Sequence, residues 1–231
     1  MLQSVFRFTA VIRGLALFEL GLKVFISYLV GSLNGALLIG ALYGGVDIRR
    51  HGSGNAGGTN ALRTQGKLFA VLVMFVDIAK GFLVVLFLPA AVLFQIAADP
   101  AVSREWLAYA CAGAVIFGHC YPVWFEFSGG KGFATVLGVL AAISPFVLLP
   151  VISVWVVVLL VAGYVGVATI LSAFALPVFL AVQDWSGNLD LFLFSLGLAV
   201  FISFTHRSNI QELAAGKRPP DIGFSLLNRT S

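Results

Sequence analysis

A chain of 231 residues that is 60% hydrophobic and only 10% charged, with a mean hydropathy of +1.01, is far more apolar than an average soluble domain and is read as an all-α, polytopic integral membrane protein. Lysine and arginine number 14 against 10 acidic residues, a net charge of +4, an excess that membrane topology explains without nucleic acid as a partner. The two cysteines, Cys111 and Cys120, lie in or at the edge of apolar runs and read as buried thiols rather than a disulfide framework or a redox C-x-x-C pair.

Residues 1–21 carry Arg7 and Arg13 but no clear small-residue cleavage pattern, and read as an N-terminal extension or interfacial helix rather than a cleaved signal. Residues 22–216 read as one transmembrane domain, and 217–231 as a tail. Apolar runs fall at 22–43, 68–93, 107–125, 133–149, 150–162, 167–182 and 191–205. Because a span takes about 20 apolar residues, about seven helices are expected, with short or broken middle ones. The fourth and fifth runs meet at Pro150, where two short spans or one kinked helix would fit, so the defensible range is five to seven.

With seven spans, one side collects Arg49, Arg50, Arg63, Lys67, Lys131, the linker near Gly163, Arg207, Lys217, Arg218 and Arg229. The other collects Asp99, Arg104, Glu105, the Pro150 turn, Asp184 and Asp190, with Trp185 as an interfacial anchor. The basic side is therefore expected to be cytoplasmic and to carry the C-terminus. Asp77 and Lys80, three apart inside the second span, can pair on a buried helix face. That pairing is preferred over a transport pathway, the usual alternative for intramembrane charge.

Three glycine-rich polar stretches, "HGSGNAGGTNALR", "GHCYPVWFEFSGGKG" and "HRSNIQELAAGK", fall on the basic side and can converge on one site. In the first, Gly52, Gly54, Gly57 and Gly58 permit positive φ and a nest of backbone N–H groups for an anion. Ser53, Asn55, Thr59 and Asn60 add neutral donors, and Arg63 offers a planar fork for phosphate oxygens. For Gly57 and Gly58, helix packing is the plain alternative. In the second stretch Gly129, Gly130 and Gly132 frame Lys131 just before an apolar run, so a helix N-terminus can add to its field. A snorkelling lysine is the plain alternative there. In the third, His206 and Asn209 share a helix face. The three histidines lack neighbouring ligands, which argues against a metal site, and no G-x-S-x-G elbow, convincing S-x-x-K pair or H-x-x-x-x-D signature is present.

These stretches resemble the three motifs of the bacterial acyl-phosphate-dependent glycerol-3-phosphate acyltransferases. "GSGNAGGTNALRTQG" resembles G-S-G-N-x-G-A-T-N-x-x-R-x-x-G, with Gly58 in place of alanine. "GHCYPVWFEFSGGKGFAT" is similar to G-H-x-F-P-x-x-x-x-F-x-G-G-K-G-x-A-T, with Tyr121 in place of phenylalanine. "HRSNIQELAAGK" resembles H-x-x-N-I-x-R-L-x-x-G-x-E, with Glu212 where arginine is common and Arg218 where glutamate is common. "GYVGVATI" resembles a segment that usually carries an arginine and two serines; Gly163 and Gly166 leave only Thr169 with a hydroxyl.

The resemblance implies acyl transfer from acyl phosphate to the first-carbon hydroxyl of glycerol 3-phosphate, giving lysophosphatidic acid and phosphate in the bacterial inner membrane. It implies no cofactor and a substrate phosphate as proton acceptor, so proximity and preorganised charge carry the rate. Ser53, Arg63, Lys131, His206 and Asn209 are then expected at the chemistry, the first three on phosphate and the last two orienting glycerol 3-phosphate. Gly52, Gly54, Asn55, Thr59, Asn60, Gly129, Gly130, Gly132 and Thr169 are expected to line the substrates. Arg49 and Arg50 read as topology and headgroup charges. For His206, a positioning hydrogen bond is preferred over general-base duty, which a reference pKa of about 6.5 would allow. A monomer among membrane lipids is the expected state. A transporter or channel for a phosphate-containing solute is the rival reading, and a structural scaffold the third.

Overall fold

The computed structural model describes residues 2–93, 102–183 and 189–216, with only the backbone course over 2–16. Every regular element among the described residues is helical. The chain forms α1 (Leu2–Gly31), α2 (Gly35–Leu42), α3 (Gly58–Gln65), α4 (Lys67–Phe87), α5 (Arg104–Cys120), α6 (Phe133–Ile143), α7 (Leu148–Ala162), α8 (Val165–Val182), α9 (Leu189–Thr205) and α10 (Arg207–Ala214). The helix α1 is continuous through position 21, where the sequence suggested an extension ending. Asp184, Trp185, Asp99 and the tail from Lys217 onward lie outside the described residues.

Among the described residues, four helices are long and apolar enough to cross a membrane, and six spans are reached if each bent pair counts as one. The shorter apolar α6 stands beside them as a short middle helix. The run 22–43, expected as one span, is broken: α1 and α2 meet at 48° across 32–34. Asn34 caps the second piece, its Oδ1 accepting the N–H groups of Ala36 at 3.0 Å and Leu37 at 3.2 Å. The middle break lies at Ser144 and Pro145, where a 3-10 turn leads into α7. Pro150 is inside the first turn of α7, where the N–H it lacks would have no helical partner in any case.

Close helix crossings rest on glycine. A Cβ on Gly31 would lie 2.2 Å from the Val115 carbonyl oxygen and one on Gly118 would lie 2.3 Å from that of Tyr28, which brings α1 against α5. On the other flank, a Cβ on Gly138 would lie 2.0 Å from the Ile78 oxygen and one on Gly81 would lie 2.4 Å from the Thr135 oxygen, which brings α4 against α6. Small residues of this kind let helix backbones approach where lipid supplies no hydrophobic drive to pack them. The main core joins α4, α5, α6, α8 and α9 around Leu107, Val115, Val139 and Ile202. The helix α7 buries only Val151 and Leu159 and turns most of its apolar surface outward.

At the end of the bundle away from the glycine-rich stretches, Glu19 and Lys23 pair at 2.7 Å while Arg104 donates to Glu19 through both terminal nitrogens. Lys23 and Arg104 also donate to the Pro89 carbonyl at 2.9 and 3.1 Å. This tie joins α1, the end of α4 and the start of α5. It gives the buried Glu19 and Lys23 partners without which they would be costly in an apolar setting.

Candidate active site at one end of the bundle

The first loop is folded around one amide. Asn60, buried in α3, accepts the Ser53 N–H at 2.9 Å and donates to the carbonyls of Ile48 and His51, each at 3.0 Å. Gly52 and Gly54 take φ of 60° and 72°, conformations that L side chains resist. A Cβ on Gly52 would also lie 2.3 Å from Asn60 Oδ1. Gly57 and Gly58 do not use positive φ. Their missing Cβ atoms make room for Asn55 Nδ2 at 2.7 Å and Met74 Cγ at 2.8 Å, so packing accounts for them. Ser53 is exposed on the loop, Thr59 and Asn55 are half-buried, and Arg63 is exposed in the last turn of α3.

The second loop folds back on the end of α5. The N–H of Gly129 donates to the Cys120 carbonyl at 3.1 Å, and that of Gly130 to the His119 carbonyl at 3.2 Å. Gly132, at φ 91°, caps α6, which starts at Phe133 as the glycine-framed lysine suggested. Lys131 donates to Asn209 Oδ1 and, at 3.3 Å, to Ser208 Oγ. Its carbonyl accepts the Thr205 hydroxyl at 2.9 Å. The second and third stretches therefore meet, although 78 positions separate Lys131 from Asn209.

His206 is buried at the bend between α9 and α10, with Nδ1 2.9 Å from the Ile202 carbonyl. That oxygen can only accept, so Nδ1 carries the proton and Nε2 is the acceptor in the neutral ring. Asn209 lies against α8: a Cβ on Gly166 would be 2.5 Å from Asn209 Nδ2. A small groove there is lined by Tyr164, Gly166, Val167, Asn209, Ile210 and Leu213. Thr169, one turn deeper in α8, is buried, and its hydroxyl accepts the Trp155 indole N–H at 3.2 Å. Glu212 is exposed on α10.

The first and second loops meet in two places. The Ala56 carbonyl would be 2.7 Å from a Cβ on Gly130, so glycine permits that approach. Arg49, expected to be a topology charge, also ties the loops. It grips Asp47 with Nε at 3.0 Å and a terminal nitrogen at 2.8 Å, and its other terminal nitrogen donates to Phe125 O at 2.9 Å and Ser128 O at 3.3 Å. The Arg49 hydrogen bonds hold the Asp47 carboxyl below its ordinary pKa, and the same carboxylate raises that of Arg49.

Beneath the loops, Asp77 and Lys80 pair at 2.9 Å, the arrangement their spacing suggested. They also serve the break in the first span. Lys80 Nζ donates to the carbonyls of Gly31 at 2.9 Å and Leu33 at 3.0 Å, while Asp77 Oδ1 accepts the Gly35 N–H at 3.0 Å. Backbone groups freed by the break are thus satisfied inside the protein, as an apolar surrounding demands. His119, singled out in the sequence only as the start of the second stretch, joins them through Nδ1, 3.2 Å from Asp77 Oδ1.

An all-helical bundle of apolar spans, with cations and glycine-rich loops gathered at one end, defines the class: an integral membrane protein. The sequence profile of the glycerol-3-phosphate acyltransferase family matches residues 22–216. Curated glycerol-3-phosphate acyltransferases from Bordetella pertussis and Neisseria meningitidis are 35% and 38% identical to it, over 90% and 84% of this chain and 94% and 93% of theirs. Two crystal structures of the integral membrane glycerol 3-phosphate acyltransferase PlsY (YgiH) share the fold. The glycerol 3-phosphate form has a TM-score of 0.74 at 36% identity, covering 87% of this chain and 94% of that one. The lysophosphatidic acid form has a TM-score of 0.73 at 35% identity, covering 89% and 96%. The chain belongs to the glycerol-3-phosphate acyltransferase family.

Proposed function

We propose that this protein transfers a fatty acyl group from acyl phosphate to the first-carbon hydroxyl of glycerol 3-phosphate, releasing lysophosphatidic acid and inorganic phosphate. The observation that carries the reading is that three distant glycine-rich stretches meet at the 129–132 turn, the third through Asn209 and Lys131 and the first through the Ala56 carbonyl at Gly130. Lys131, Arg63 and Ser53 bind phosphate oxygens, supported by the N-terminal turn of α3 at Thr59 and by the loop that Gly52, Gly54, Asn55 and Asn60 shape. Asn209 and His206 orient glycerol 3-phosphate, with His206 Nε2 as hydrogen-bond acceptor. Gly129, Gly130 and Gly132 let the backbone come close to the ligand. Thr169 supports the α8 wall through Trp155.

In the transfer, the hydroxyl oxygen attacks the acyl carbonyl and a new ester C–O bond forms. The bond from that carbon to the phosphate oxygen breaks, and the hydroxyl proton passes to a substrate phosphate. A mixed anhydride is already activated, so the protein's contribution is orientation and preorganised charge. The acyl chain stays in lipid beside the bundle. The working unit is a monomer with residues 22–216 as its catalytic domain, 1–21 as an N-terminal extension and 217–231 as a tail. It lies in the bacterial cytoplasmic membrane with its site facing the cytoplasm.

Purified protein given acyl phosphate and glycerol 3-phosphate should form lysophosphatidic acid and phosphate in equal amounts without coenzyme A, acyl carrier protein or added metal. Folded protein that makes no such product would refute the reading. Strict dependence on acyl-coenzyme A would move the donor to another class.

A further inference from the structure

We propose that His119 is a positioning residue that sets the height of the 129–131 turn and hence the placement of the Lys131 ammonium. The claim rests on the reading of Lys131 as a phosphate ligand. His119 is only 2% exposed and sits below the site in the last turn of α5. Its carbonyl receives the Gly130 N–H at 3.2 Å. Its ring lies directly against the same residue, since a Cβ on Gly130 would be 2.1 Å from Nε2. The next residue is Lys131. Any shift of the ring is therefore passed on to the turn that carries the ammonium.

The ring is itself fixed. Lys80 Nζ is anchored by Gly31 O, Leu33 O and Asp77 Oδ1 at 2.9, 3.0 and 2.9 Å. Nδ1 of His119 lies 3.0 Å from Lys80 Nζ and 3.2 Å from Asp77 Oδ1, so both buried charges hold the ring, and Nε2 faces the glycine turn. A second leg starts from the same place. Asn34, in the break that Asp77 and Lys80 hold, donates to Ala56 O at 3.2 Å. That oxygen is 2.7 Å from where a Gly130 Cβ would stand. Both phosphate-side loops are thus levelled against one buried polar cluster, 1% exposed at Asp77 and 6% at Lys80.

The test is calorimetric binding of glycerol 3-phosphate to purified protein, with the ligand-free unfolding temperature as the check on folding. His119→Ala should weaken binding about tenfold, the scale of one misplaced charged hydrogen bond, while His119→Asn, whose amide keeps a polar atom near the Nδ1 position to meet Lys80 or Asp77, should recover most of it. In a Lys131→Gln background, His119→Ala should weaken binding by less than about twofold, because the group it positions is gone. A purely structural role would lower stability and affinity alike in both backgrounds. Folded His119→Ala with wild-type affinity, losses that multiply fully with Lys131→Gln, or His119→Asn no better than alanine would each overturn the proposal. Should the alanine variant not fold, His119→Asn decides: near-wild-type affinity upholds the proposal, and a tenfold loss overturns it. Absence of binding by the wild-type protein would strike the phosphate-ligand reading instead.

Discussion

Arg49 reads from sequence like its neighbour Arg50, one more cation at a membrane edge, yet its guanidinium reaches Phe125 and Ser128 in the next loop. Its grip on Asp47 has a pH consequence. Because the folded carboxyl is held below its ordinary pKa by Arg49, the pair contributes stability above the ordinary aspartate pKa of about 3.9 and loses it as pH falls through the lowered folded value. Thermal unfolding of wild type and Asp47→Asn should therefore differ near neutrality and converge below about pH 4. Curves that stay parallel to the acid limit would deny the pair its role. At this scale the sequence made the positive φ of Gly52 and Gly54 and the helix start just after Lys131 legible, since both are local properties. Arg49 was not legible, because its partners lie 76 and 79 positions away. His119 was not either: a histidine at a helix end looks the same whether its ring faces solvent or a buried aspartate.

Among the elements, the apolar runs marked where helices lie but not where they break. The break at 32–34 depends on Lys80 and Asp77 meeting freed backbone groups, and nothing within residues 22–43 announces those partners. Pro150 misled in the opposite direction. It resembled a hinge, but in the first turn of α7 it costs no hydrogen bond, and Ser144 and Pro145 make the turn instead. Glycines within the spans had a further meaning that composition hid. Gly138 faces Ile78 so closely that a Cβ would overlap its carbonyl oxygen at 2.0 Å, whereas Gly113 and Gly197 have nothing within 4 Å of the same position. Gly138→Ala should thus force α6 away from α4 and destabilise by about 1–3 kcal/mol, the usual range for overpacking. Gly197→Ala should be neutral or slightly stabilising, since alanine is the better helix former. Equal unfolding midpoints for the two variants in detergent would contradict the close crossing.

For the whole molecule, the arrangement of charge bears on what kind of membrane protein this is. A transporter needs its site reached from both faces, and Asp77 with Lys80 is the intramembrane charge that such a pathway would use. Both groups are instead engaged with each other, with the ends of the broken first span and with His119. At the far end, the Glu19, Lys23 and Arg104 tie joins α1, the end of α4 and the start of α5. Arg49, Arg50, Arg63, Lys67, Lys131 and Arg207 all stand at the site end, which by the basic bias of cytoplasmic loops should face the cytoplasm. A cysteine replacing exposed Gln65, at the end of α3, should then react with a membrane-impermeant maleimide in inside-out vesicles and not in intact spheroplasts. Trp106→Cys, on the exposed face at the start of α5, should show the reverse pattern. The native thiols, Cys111 and Cys120, are both buried and provide little background. Labelling of Gln65→Cys from both sides would reopen the transport reading, and labelling from the outside alone would invert the orientation and remove the site from the cytoplasm.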